Sequence, residues 1–216
     1  MNKKRFYLIG AALLLGLGLA SCLKPSDTPE PHFTRENLGS VKVNGKEFEH
    51  TVYLANAPYR QNNPYLYYSE QYKVGCFPIY LSPKGGNMKT PIQYSVILYL
   101  NLNKGVPELN KPYIFKPNSL VDLLSPAQSL LDLFIKGRGK LLVDGGQGLA
   151  VVYRQGINKR ITAEGSITLT SFDTKKGTCT ATYQLKTTSK EKNGELTFTD
   201  GVINTKIYTD KPEKRK

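Results

Sequence analysis

Between Ile92 and Leu102 the chain reads IQYSVILYLNL, with Ile92, Tyr94, Val96, Leu98, Leu100 and Leu102 at every second position. Side chains on extended backbone point alternately to opposite faces, so this run places six apolar groups on one side of a strand. A helix would scatter the same residues around its circumference. Ile97 and Tyr99 make the other face partly apolar, which predicts a central strand covered on both sides.

The same alternation recurs along the chain. SVKVNGKEFEHTVYL carries Val41 and Val43, then Asn44-Gly45, a pair suited to a two-residue hairpin turn because both positions want positive φ. VGCFPIYL follows, with Phe77, Ile79 and Leu81 on one face. LLVDGGQGLAVVYR reads as two strands around a glycine-rich turn. RITAEGSITLTSF, GTCTATYQLKTT, ELTF and GVINTKIY read as a closing antiparallel meander. The fold class expected is all-β and mainly antiparallel. One helix interrupts it. In SPAQSLLDLFIKG, Ser125 suits the N-cap, Pro126 the first helical position and Gln128 the capping box. Leu130, Leu131 and Phe134 form its apolar stripe, and Gly137 is placed to end it. Such a helix is expected to cover an end or edge of the β structure, or to serve as a ligand-gating lid over 126–136. The expected order is a leader over 1–21, a tether over 22–39 with Pro25, Pro29 and Pro31, one β domain over 40–210 and a basic tail over 211–216.

The leader is short. Lys3, Lys4 and Arg5 precede an apolar and glycine run from Phe6 to Ala20, too short for a spanning helix of about 20 residues and typical of an export signal. Leu19-Ala20-Ser21-Cys22 then resembles the bacterial lipobox. That resemblance implies signal-peptidase recognition through Leu19, Ala20 and Ser21, with lipidation of Cys22, whose acyl chains would hold the protein to a membrane. Two or more chains give stable attachment where one is marginal. Leu23 stands where an aspartate would favour inner-membrane retention in enteric bacteria, so the outer membrane is expected, in either leaflet.

The leader holds three of the 30 basic residues and none of the 17 acids, which leaves the remainder at a net charge of +10. The excess is spread along the chain apart from the terminal KPEKRK. A nucleic-acid footprint would need clustering on one face, and none is expected. Once Cys22 is set aside, Cys76 and Cys179 remain, an even number in an oxidising compartment. Strand phase argues against a bridge. Cys76 falls on the face opposite Phe77, Ile79 and Leu81, whereas Cys179 shares the face of Ala181, Tyr183 and Leu185.

Catalytic constellations are sparse. The two histidines, His32 and His50, lack a partner at metal-binding spacing, and no H-E-x-x-H, paired C-x-x-C or G-x-S-x-G occurs. Gly145, Gly146 and Gly148 lack the lysine and Ser/Thr of a phosphate loop. No catalytic residue, metal or cofactor is therefore expected. Carboxylate pairs that meet across strands are not legible in sequence. Tyrosine is the compositional oddity. YRQNNPYLYYSEQYKVG holds Tyr59, Arg60, Tyr65, Tyr67, Tyr68 and Tyr72 among amides and Glu70. Tyrosine couples an apolar face to a polar tip, which suits a glycan or peptide. It equally suits strands through its β propensity.

The segment GSITLTSFDTKKGTCTATYQLKTT with GELTFTDGVIN resembles a pattern in small outer-membrane lipoproteins of Bacteroides-type bacteria that carry a β-rich domain of unknown function. The matching residues are Gly165, Ile167, Leu169, Phe172, Asp173, Ala181, Tyr183, Leu196, Phe198, Asp200 and Gly201, and VNGKEF at Val43–Phe48 resembles their opening hairpin. Residues 55–155 match only as generic strands. The resemblance implies a β-sandwich or lipocalin-like, partly closed barrel and no particular activity. The leading expectation is a lipid-anchored, non-catalytic binding or interaction module at the outer membrane, with a glycan, a peptide or a protein of a surface complex as partner. The alternatives are a carrier of a small apolar ligand in a barrel cavity and a glycan-acting hydrolase.

Overall fold

Asn44 and Gly45 adopt φ of 48° and 77°, the positive values a two-residue hairpin turn demands, and join β1 (Phe33–Val43) to β2 (Lys46–Ala55). The computed structural model describes residues 33–55, 65–86, 89–103, 105–122, 130–142, 146–156, 160–187 and 195–209. All belong to the unit that begins at Phe33. The leader, the lipobox residues Leu19 to Cys22, Tyr59, Arg60, the helix cap at Ser125, Pro126 and Gln128, and the basic tail lie outside the described residues.

The hairpin is followed by β3 (Leu66–Ser69), β4 (Val74–Pro83), β5 (Tyr94–Asn101) and β6 (Pro112–Phe115). Then come the helices α1 (Ser119–Asp122) and α2 (Leu130–Leu141). β7 (Gly148–Arg154), β8 (Arg160–Asp173), β9 (Thr178–Thr187) and β10 (Thr197–Thr209) complete the sheet. Antiparallel pairing runs β1-β2-β4-β5-β7-β8-β9-β10, and β10 pairs back onto β1. The result is an all-β, mainly antiparallel sheet rolled into a partly closed ring. Its narrowest seam is β2–β4, joined only where Phe48, Glu49 and His50 face Pro83, Ser82 and Leu81.

Two short strands fill the corners. β3 lies between β4, to which it is antiparallel, and the end of β10, to which it is parallel. β6 sits beside β8 and touches β7 through Phe115 and Gly148. Sharp curvature requires positions where a strand presses against its neighbour's backbone. Gly39 and Gly165 supply it, at φ of 151° and 139°. A Cβ would run into the Val202 carbonyl at Gly39 and the Gln184 carbonyl at Gly165.

Burial follows strand phase. Val96, Leu98 and Leu100 of β5 point inward and join Phe77, Ile79, Leu81, Ile167, Ala181, Tyr183 and Phe198 in one buried cluster. The alternate residues Val74, Cys76, Tyr99, Leu149 and Val151 point outward and pack under α2 through Leu130 and Phe134. Phe134 stacks on Tyr99 with ring centroids 5.5 Å apart. The helix thus covers the outer face of β4, β5 and β7. That is why β5 is apolar on both faces.

Several boundaries differ from the sequence reading. β1 starts at Phe33, within the expected tether, because the polar stretch 33–37 pairs with Thr51–Ala55. Ile92 precedes β5 and is exposed. α2 passes through Gly137 to Leu141, so the strand expected at 141–143 does not begin there. Leu130, Phe134 and Leu142 all pack on the outer cluster, and this burial outweighs the helix cost of glycine, about 1 kcal/mol per residue. ELTF and GVINTKIY join in a single β10, bridged by an irregularity between Phe198 and Gly201.

Candidate functional site

A cleft of about 830 Å³ opens at the end of the ring where β3, β8 and β10 terminate. Tyr68 and Phe172 contribute to its lining, their rings edge-to-face at 5.0 Å. Tyr68 is buried in the core cluster, with Phe172 packed against it. Burial raises the Tyr68 hydroxyl above the ordinary phenolic range, with a smaller contribution from the nearby Glu70 charge. That hydroxyl donates to the Gly105 carbonyl at 2.9 Å. The bond ties the 105–109 loop to β3.

The loop forms one wall of the cleft. Gly105 takes φ of 83°, a conformation glycine enters without steric cost. The Glu108 N–H donates to the Tyr113 hydroxyl at 2.8 Å, and the Asn110 N–H donates to the Leu169 carbonyl at 2.9 Å. Held at these three points, the loop presents Val106 (50% exposed), Pro107 and Leu109 (44% exposed) to the cleft. Ser69, Glu70, Gln71, Thr174 and Thr209 supply its polar side. The Tyr72 N–H donates to Ser69 Oγ and the Lys73 N–H to the Glu70 carbonyl, which shape the turn carrying Glu70 and Gln71. An apolar lining with a few polar groups at its edge is the usual make-up of a small-ligand site.

The tyrosines do not form one platform. Tyr68 belongs to the core and the cleft, while Tyr65 and Tyr67 are half-buried elsewhere. The Tyr65 hydroxyl donates to Glu36 at 2.9 Å. Lys206 Nζ lies 3.0 Å from Glu36 and 5.0 Å from the Tyr65 ring centroid. This trio joins β1, the approach to β3 and β10. Burial and the bond to Glu36 hold the Tyr65 hydroxyl above its ordinary range. Tyr67 packs toward the outer cluster, with its ring 6.5 Å from Tyr208. Tyr72 is exposed in the turn between β3 and β4.

Sequence reading missed the 105–109 loop, Phe172 as a lining residue, Thr174 in the turn after β8 and Thr209 at the end of β10. A signal existed in GVPEL, where two apolar residues stand in a glycine- and proline-containing loop with no strand to bury them.

Cys76 and Cys179 are free and buried in separate clusters, outward and inward respectively. Burial pushes both thiols up to about 12. His50 is buried and, among the described residues, neither ring nitrogen has a hydrogen-bond partner. Desolvation lowers it to about 3. Among the described residues no group of three or more His, Cys, Asp or Glu could hold a metal ion. No described helix is long and apolar enough to cross a membrane. No protein-family model matches the chain, and no curated protein or solved structure matches it either.

Proposed function

We propose that this chain is a lipoprotein of the outer membrane, anchored through acyl chains on Cys22, and that its β domain is a non-catalytic binding module. The cleft at the end of the ring carries the binding part of the reading. It combines an aromatic lining at Tyr68 and Phe172 with the exposed apolar Val106 and Leu109 and several hydrogen-bonding side chains. Two carboxyl groups are needed for glycoside hydrolysis, and Glu70 is the one carboxylate among the described lining residues. An apolar-ligand carrier would need space inside the ring. The inward residues there, including Val96, Leu98, Phe77 and Ala181, pack on one another. The likeness of the 165–201 segment to Bacteroides-type lipoproteins belongs to the same proposal.

Both parts can be tested in one strain. Metabolic labelling with a fatty acid should mark the wild-type protein and place it in the outer-membrane fraction, and Cys22→Ser should abolish both. For the cleft, the methyl resonances of Val106 and Leu109 should respond to envelope-derived glycans or peptides. Leu109→Asp should weaken that response without changing the fold. Shifts confined to another surface would refute the cleft as the site.

A further inference from the structure

Lysine neutralises most acids on this surface. Glu36, Glu47, Glu108, Asp173, Glu195 and Asp200 each stand 2.8–3.9 Å from a lysine ammonium. Glu70 breaks the pattern. It is exposed at the edge of the cleft, and among the described residues no lysine or arginine pairs with its carboxylate. The chain has 30 basic and 17 acidic residues; the exposed Glu164 resembles Glu70 in this respect but lines a different opening, beside Lys116 and Lys186. No lysine or arginine occurs among the described lining residues either. In the turn after Phe172, Lys176 is paired with Asp173, and Lys175 is exposed beside Thr174. Glu70 is therefore the one charged side chain among the described lining residues, a negative group at the edge of the cleft.

Resting on the cleft reading above, we infer that its ligand is a peptide segment with an apolar side chain beside a lysine or arginine. The apolar group seats between Val106, Leu109 and the Tyr68–Phe172 pair. The cation meets Glu70. The geometry supports this division. The Glu70 side chain lies against Gly105, next to the carbonyl that Tyr68 holds. This places Glu70 beside the loop that carries the apolar wall. The protein's overall positive charge opposes a cationic ligand only at long range. Its field is screened beyond about 10 Å at 0.1 M salt, whereas Glu70 acts at contact. Ser69, Gln71, Thr174 and Thr209 offer donors and acceptors for peptide backbone groups.

The test uses the lipidated full chain in zwitterionic nanodiscs, with empty nanodiscs as control. Methyl resonances of Val106 and Leu109 report binding. The probes are acetyl-Leu-Lys-amide, its neutral analogue acetyl-Leu-norleucine-amide, and maltotetraose. The expected result is saturable shifts with the lysine probe and affinity about three- to fivefold above the neutral analogue, the range of a partly exposed ion pair. Glu70→Gln should erase that difference, bringing the two affinities together. Equal affinities, or a difference that survives Glu70→Gln, would overturn the cationic part while leaving the cleft as a binding site. Shifts with maltotetraose alone would overturn the peptide and favour a glycan. If no probe moves either methyl, the inference falls, while the cleft is judged on the envelope-derived ligands and Leu109→Asp.

Discussion

His50 should make this domain acid-sensitive well above the range where carboxylates titrate. The side chain is buried on β2 at the end of the β2–β4 seam, 6.3 Å from the Tyr80 ring. Desolvation holds it neutral down to about pH 3, whereas in the unfolded chain it protonates near pH 6.5. Between these values the unfolded state binds a proton that the folded state refuses. The contribution is therefore fully present above pH 6.5 and is lost as pH falls toward 3. The slope is about 1.4 kcal/mol per pH unit, which gives a loss of about 2 kcal/mol between pH 7 and pH 5. Over the whole window the ceiling is about 4–5 kcal/mol, comparable to the entire stability of a marginal domain, about 5–15 kcal/mol. Urea unfolding followed by circular dichroism at pH 7, 6 and 5 measures the slope before most acids protonate. The control is His50→Leu, which removes the titrating group. Its stability at pH 7 reflects a balance between altered packing and relief of two unpaired nitrogens, the latter about 1–3 kcal/mol. The discriminating quantity is the slope, which should flatten. His32→Gln, which changes the other histidine of the chain, should leave it intact. A wild type equally stable at pH 7 and 5, or a His50→Leu variant with an undiminished slope, would refute the reasoning.

Phe134→Ala should destabilise the domain by about 3–5 kcal/mol, the cost of emptying a fully buried aromatic site, as read by urea midpoint. Gly165→Ala should cost about 2–4 kcal/mol, because φ of 139° is strained for alanine and the new Cβ meets the Gln184 carbonyl; an unchanged melting temperature would show that β8 does not need this kink. Tyr68→Phe removes the bond to the Gly105 carbonyl, a loss of about 1 kcal/mol, and should speed amide exchange across 105–109 more than elsewhere. A Cys22→Ser variant should react slowly with a thiol reagent when native and release two thiols on unfolding, since Cys76 and Cys179 are buried and unbridged; one or none would indicate a disulfide or prior oxidation.

The strand faces were legible because period-two alternation reports burial directly. Phe77, Ile79 and Leu81 inside, with Cys76 outside, could be read before any fold was known. The hairpin at Asn44-Gly45 was legible for a local reason, the φ values its turn requires. What escaped depends on partners distant in sequence. The 33–37 stretch carries no apolar alternation and becomes strand only because Thr51–Ala55 lies beside it. β6 is four residues long, and its inward Tyr113 and Phe115 announce little without β8 alongside. Gly137 suggested a helix end on propensity, yet packing beneath α2 carried the helix onward.

The tyrosine-rich segment shows most clearly why a site resists sequence reading. Tyr65, just before β3, and Tyr67 fall on one side by alternation, and Tyr68 takes the other by phase alone. Alternation therefore divides such a cluster between surface and core unless the strand is interrupted. Tyr68 then acquires a second role. Its ring packs on Phe172 and its hydroxyl fixes Gly105, so a core residue helps position the exposed Val106 and Leu109. The cleft is assembled from three segments, near residues 68–71, 105–109 and 172–174, together with Thr209. No one of them carries a motif. They meet because β3 fills the corner between β4 and β10. β3 pairs with β4 at residues 67–69 and 74–76, while β2 pairs with the other end of β4 at three positions, so one strand serves both the ring seam and the cleft wall.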